Sequence, residues 1–132
     1  MPSNTFPPAS DPAARIQTYL AAMEAREIET AQSFLAPGFA MVFPGTAPMH
    51  SLQELIDWAK PRYRFVRKTY DRFDTMSGTN GADVVYCTGT LSGEWPDGST
   101  FDGIRFIDRF ELSDGQITRQ DVWNDIAEVK AQ

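Results

Sequence analysis

A carboxylate stands in the middle of an apolar strand pattern. The segment from Phe101 to Asp125, FDGIRFIDRFELSDGQITRQDVWND, reads as two long strands joined at Ser113-Asp114-Gly115. Asp108 lies halfway along the first, between Ile107 and Phe110. Burying a carboxylate there is expensive unless it is ion-paired, hydrogen-bonded or protonated. Asp108 is therefore either a structural ion-pair partner or the working group of a pocket. Asp121 and Asp125 share one parity on the second strand, which predicts that they face the same side. His50 is the single histidine, and its ordinary pKa suits general-base work at neutral pH. The alternative for each is a solvated or ion-paired surface group.

Other chemistries find little support. One His, no HExxH, no Cys pair and no EF-hand spacing argue against a metal site. Cys87 lies in VVYCTGTL, where a lone Cys acts as a small apolar residue. No metal and no organic cofactor are expected. A net charge of -6 argues against nucleic acid or an anionic membrane as partner. The one basic run, Arg62 to Lys68 (RYRFVRK), reads as a solvated strand face. No apolar run is long enough to span a bilayer. MPSNTFPPASDPAA carries no basic and apolar signal pattern, so a cytoplasmic protein is expected.

The positioning elements follow from caps and breakers. With 132 residues, of which 42% are hydrophobic, the chain can bury one core. Residues 1–11 read as a flexible leader and 12–132 as a single domain. Asp11-Pro12 caps a first helix to about Ala25. A second runs from Glu27 to Leu35, stopped by Pro37-Gly38. Phe39 to Phe43 is a short strand. Ser51-Leu52-Gln53-Glu54 is a capping box for a third helix that ends at Pro61. Strands are then expected at Arg64–Met76, Ala82–Glu94, Thr100–Leu112 and Gln116–Ala127. Three helices followed by an antiparallel meander make an α+β domain. Strands this long need strong curvature, and Gly89, Gly93 and Gly103 are plausible bends.

This order of elements resembles the nuclear transport factor 2-like superfamily, with its SnoaL-like cyclases, ketosteroid isomerases and epoxide hydrolases. TYLAAMEAREIETAQSFLAPGFAMVFPG, TFDGIRFIDRFELSDGQI and ITRQDVWND carry the likeness. It implies a cone-shaped α+β barrel: three N-terminal helices packed on a strongly curved, mainly antiparallel sheet, with a pocket between them. The ketosteroid isomerase pattern implies a hydroxyl donor at Tyr19 and a protonated acid at Asp108, together binding an enolate oxygen. Its general-base position falls on Phe43, whose ring cannot take a proton. The cyclase and hydrolase patterns imply acids on late strands, here Asp121 and Asp125. His50 falls in a loop that skirts the cavity mouth in this fold. Met41, Phe43, Trp58, Tyr63, Tyr86 and Asn124 are the expected ligand-binding lining.

The resemblance thus implies a protein that binds a small hydrophobic, oxygenated molecule, as an isomerase, cyclase or hydrolase, and forms a homodimer. The alternative is a non-catalytic ligand-binding or dimerisation module, which Phe43 at the base position favours.

Overall fold

The computed structural model describes residues 11–130. Most of the expected leader lies outside them. Helix α1 (Pro12–Glu24) opens on Asp11, whose side chain accepts the Ala13 N–H at 3.1 Å. A short α2 (Ile28–Gln32) follows, then strand β1 (Leu35–Val42) and helix α3 (Leu52–Ala59). Ser51 Oγ caps α3 by accepting the Glu54 N–H at 3.1 Å. Glu54 returns the contact one residue early, accepting the His50 N–H at 2.9 Å. Strands β2 (Phe65–Ser77), β3 (Asp83–Glu94), β4 (Thr100–Ser113) and β5 (Gln116–Asn124) complete the sheet, and α4 (Ile126–Lys130) ends the described chain.

The sheet runs β1-β5-β4-β3-β2. β2 to β5 pair antiparallel, while β1 runs parallel to β5. The first strand thus returns to pair with the last one, and the sheet is mixed. It is also open rather than a closed barrel, with β1 and β2 as its edges. The inner face packs on the helices through Ile16, Tyr19 and Leu20 of α1 against Val85, Phe110 and Leu112 of the sheet.

Two element boundaries differ from expectation. Leu35 already pairs with Ile117, so the chain leaves α2 by Gln32 and enters β1 before Pro37-Gly38. Pro37 lacks a ladder donor and Gly38 sits at φ 76°, so the pair makes a bulge inside the strand rather than stopping a helix. The register accordingly shifts between Leu35 and Ala40. At the other end, Asn124 Oδ1 accepts the Ile126 N–H at 3.1 Å, turning the chain into α4 where a strand to Ala127 was expected.

Curvature is built at the glycines. A Cβ on Gly89 would lie 2.0 Å from the Thr69 carbonyl oxygen, and one on Gly93 2.1 Å from that of Phe65. Only Gly lets β2 approach β3 this closely. Opposite Gly89, the register slips between Tyr70 and Arg72. Gly103 stands at φ 70°, where β4 carries an extra residue between Phe101 and Ile104.

Candidate functional site

Alternation along β4 turns Ile104, Phe106, Asp108 and Phe110 to the core and Arg105, Ile107 and Arg109 outward. Asp108 is fully buried. Its Oδ2 forms an ion pair with Lys68 Nζ. Its Oδ1 has no hydrogen-bond partner among the described residues. Lys68 is two strands away: it pairs with Leu91 on β3, and Leu91 with Ile104 on β4. Sheet curvature brings the β2 edge over the inner face, so the lysine stem spans that gap. Its Nζ lies 5.0 Å from the Phe106 ring centroid. The Lys68 N–H donates to Glu24 Oε2 at 3.1 Å, tying the end of α1 to this strand.

The basic run is therefore not one solvated face. Arg67 is exposed, but Lys68 enters the core. Burial acts most strongly on Lys68 and lowers its pKa. The Asp108 charge and hydrogen bond, with Tyr70 and Cys87, outweigh it, and the net direction is upward. Lys68 is thus a charged donor and not a nucleophilic amine. Burial raises the Tyr19 hydroxyl well above its ordinary range, with Lys68 opposing and Asp108 adding. Tyr19 stays a protonated donor. Burial likewise pushes Tyr70 up to about 12. The Cys87 thiol is pushed up to about 12 by burial and then by Asp108, so it is inert at neutral pH.

Two chambers meet at this pair. The larger, about 230 Å³, lies between α1, α3, β2 and β5 and includes Tyr19, Lys68, Tyr70 and Gln120 among apolar neighbours. The smaller, about 60 Å³, includes Trp58, Asp108, Val122 and Asn124. Phe43, Tyr63, Val66 and Lys68 belong to both and form the partition. Phe43 and Trp58 pack with ring centroids 5.2 Å apart and planes tilted by 51° on one side of it.

The expected residues divide by sheet face. Tyr19, Phe43, Trp58, Tyr63, Asp108 and Asn124 line one chamber or both. Tyr19 and Asp108 share a neighbour, Lys68, rather than bonding each other. Asp108 Oδ2 accepts from Lys68 Nζ, a partner that the resemblance did not imply. Met41 is buried in the core beside its bridge partner Met49 and lines neither chamber. Tyr86 sits on the outer face, where its hydroxyl accepts from Arg109 Nε at 3.2 Å. Asp121 pairs with Arg119 at 2.8 Å and Asp125 with Arg105 at 2.6 Å, both away from the chambers. The His50 ring bonds the Phe39 carbonyl through Nδ1 at 2.8 Å and also lines neither. Lys68 and Gln120 were not anticipated. Gln120 is buried because a bulge near Arg119 shifts β5 by one residue, placing it on the inner face with Val122. Among the described residues no cluster of three or more His, Cys, Asp or Glu could hold a metal.

An open, curved five-stranded sheet over N-terminal helices, with its chambers on the inner face, is the NTF2-like fold. The chain belongs to the SnoaL-like domain family, which it matches over residues 16–120. Its fold is similar to that of an NTF2-like protein of unknown function from Burkholderia pseudomallei. The identity is 17%, the coverage 92% of this chain and 96% of that one, and the TM-score 0.78. TerC, co-crystallised with polyporic acid, is similar at 21% identity, 92% and 97% coverage and TM-score 0.73. A proposed polyketide cyclase from Xanthomonas campestris shows 19% identity, 92% and 98% coverage and TM-score 0.68. No curated protein matches the chain in sequence. No helix among the described residues is long and apolar enough to cross a membrane.

Proposed function

We propose that this protein binds a hydrophobic, oxygenated ligand of one or two rings and acts on it by proton transfer, as an isomerase- or cyclase-type enzyme. The observation that carries this reading is Asp108: fully buried, one oxygen held by Lys68 at the partition between the chambers, the other unpartnered on the side of the smaller chamber. Buried carboxylate oxygens are rarely left unpaired without a use. Lys68 and Tyr19 are fixed donors for a ligand carbonyl or for the enolate it becomes. The free Oδ1 can accept a proton or a hydroxyl hydrogen bond. The larger chamber falls below the range of about 300–1,000 Å³ usual for drug-sized ligands, which favours a bicyclic over a tetracyclic ligand.

A homodimer belongs to the same proposal. The outer sheet face exposes Trp123 and Ile107, which are register partners on β5 and β4. A second reading is a non-catalytic binding module, supported by Phe43 lining both chambers at the position where a base was expected.

The test is calorimetric titration of β-naphthol into the native chain, Tyr19→Phe and Asp108→Asn. Loss of one hydrogen bond predicts about fivefold weaker binding for Tyr19→Phe, and loss of a charged acceptor about tenfold or more for Asp108→Asn. Equal affinity in all three removes the proposal. Binding that responds as expected, without turnover of any enolisable naphthol-type ketone, favours the second reading.

A further inference from the structure

The mouth of the larger chamber runs against the charge of the chain. The protein carries a net charge of -6. Yet this chamber is lined by three cations, Arg26, Arg67 and Lys68, and one carboxylate, Glu24. Lys68 is occupied by Asp108. Glu24 accepts the Lys68 backbone N–H through Oε2. Arg67 is exposed, with its guanidinium 4.8 Å from the Phe65 ring centroid. The Arg26 side chain has no hydrogen-bond or ion-pair partner among the described residues.

The backbone at Arg26 makes the point sharper. Helix α1 ends in a Schellman motif: the Arg26 N–H bonds the Met23 carbonyl at 3.2 Å and the Glu27 N–H bonds that of Ala22 at 2.9 Å. Arg26 occupies the left-handed position of that motif, at φ 61°. Gly is the favoured residue there, because a Cβ makes the conformation costly. An arginine placed in a strained position at a cavity mouth, with no partner of its own, is a reason to look for a ligand. Its field reaches inward: the Tyr63 hydroxyl is raised chiefly by burial, while Lys68, Arg62 and Arg26 pull it down.

We infer that the larger chamber takes an anionic ligand, an aromatic carboxylic acid whose carboxylate is held at the mouth by Arg26 and Arg67. Arginine forks match carboxylates in two-point hydrogen bonds, which a neutral ester cannot return. Ring carbons then occupy the apolar wall of Leu20, Met23, Leu55 and Val66, with a ring oxygen directed to Tyr19 and Lys68. This inference rests on the reading that the chamber binds an aromatic ligand.

The experiment compares β-naphthoic acid with methyl β-naphthoate by calorimetry at neutral pH, on the native chain, Arg26→Gly and Arg67→Gln. Arg26→Gly is expected to fold at least as stably as the native chain, since Gly takes the left-handed position freely. The native chain is expected to prefer the acid by about tenfold, and to lose that preference in Arg26→Gly or as salt is raised. An ester bound as tightly as the acid, or a preference that survives in both variants, overturns the inference and leaves the binding reading standing. Failure of both probes to bind a chain that binds β-naphthol overturns the inference alone, and failure of β-naphthol as well overturns both.

Discussion

Lys68 and Asp108 define what one residue contributes to the other. Lys68→Met leaves a wholly buried carboxylate with no countercharge, which is expected to cost about 3–5 kcal/mol. Lys68→Met with Asp108→Leu removes both charges and is expected to recover most of that loss. Chemical denaturation of the two variants checks this, and equal stability would contradict a buried pair. The pH dependence follows from the direction of the lysine shift. Burial lowers the Lys68 value, but Asp108 raises it further, and the folded value ends above the ordinary 10.5. A raised value means that its stabilisation is complete below the unfolded pKa and is lost only as pH rises through the folded one. The native chain should therefore keep its advantage over Lys68→Met up to about pH 10. A loss of that advantage near neutral pH would sink the assignment.

Cys87 gives a second check at this scale. With its thiol pushed up to about 12, it should resist alkylation at pH about 8 until the chain unfolds. Rapid labelling of the folded protein would show a thiol far more accessible than the structure places it. Asp108 was legible in the sequence because a carboxylate between Ile107 and Phe110 has few cheap explanations. Lys68 was not. Its neighbours Arg64 and Arg67 carry the same charge, and alternation alone does not say which face is inner. Gln120 was hidden by a bulge that changes parity inside QITRQDV.

The elements position this pair by bending. Gly89 and Gly93 allow β2 to fold close over β3, and that approach brings Lys68 within reach of Asp108. Gly89→Ala puts a Cβ against the Thr69 carbonyl, and a backbone atom cannot step aside as a flexible side chain can. It is expected to destabilise by about 3 kcal/mol and to weaken β-naphthol binding in whatever folded fraction remains. Gly38→Ala is a useful contrast: no heavy atom lies within 4 Å of the added Cβ, so only its φ of 76° resists the change. A milder effect for Gly89→Ala than for Gly38→Ala would contradict the close-approach argument.

Caps at Asp11 and Ser51 were readable, because cap chemistry is local. The end of α2 was not, because Pro37-Gly38 reads equally as a helix stop and as a strand bulge. The parallel pairing of β1 with β5 was also out of reach of local patterns. Leu35 meets Ile117 across most of the chain, and nothing within either segment names the other.

At the scale of the whole molecule, the two sheet faces do different work. The inner face holds the chambers. The outer face carries ion pairs, among them Arg109–Glu111 and Arg119–Asp121, around exposed Trp123 and Ile107. Asp121 and Tyr86 were plausible pocket residues in the sequence and share the outer face with Arg109, while Asp125 follows β5 and pairs with the exposed Arg105. If the outer face pairs two copies, sedimentation should give a dimer, and Trp123→Lys a monomer that still binds β-naphthol. A native monomer at all concentrations would remove the homodimer from the proposal without touching the chambers.

The central claim is that Asp108 Oδ1 receives a hydrogen from the ligand. The most direct test sets β-naphthol against its methyl ether, on the native chain and on Asp108→Asn. The ether keeps the ring and the oxygen but cannot donate. The native chain should bind the naphthol about tenfold tighter than the ether, and Asp108→Asn should bind the two nearly alike. A native chain that does not distinguish naphthol from ether would show that Asp108 is only a structural ion-pair partner.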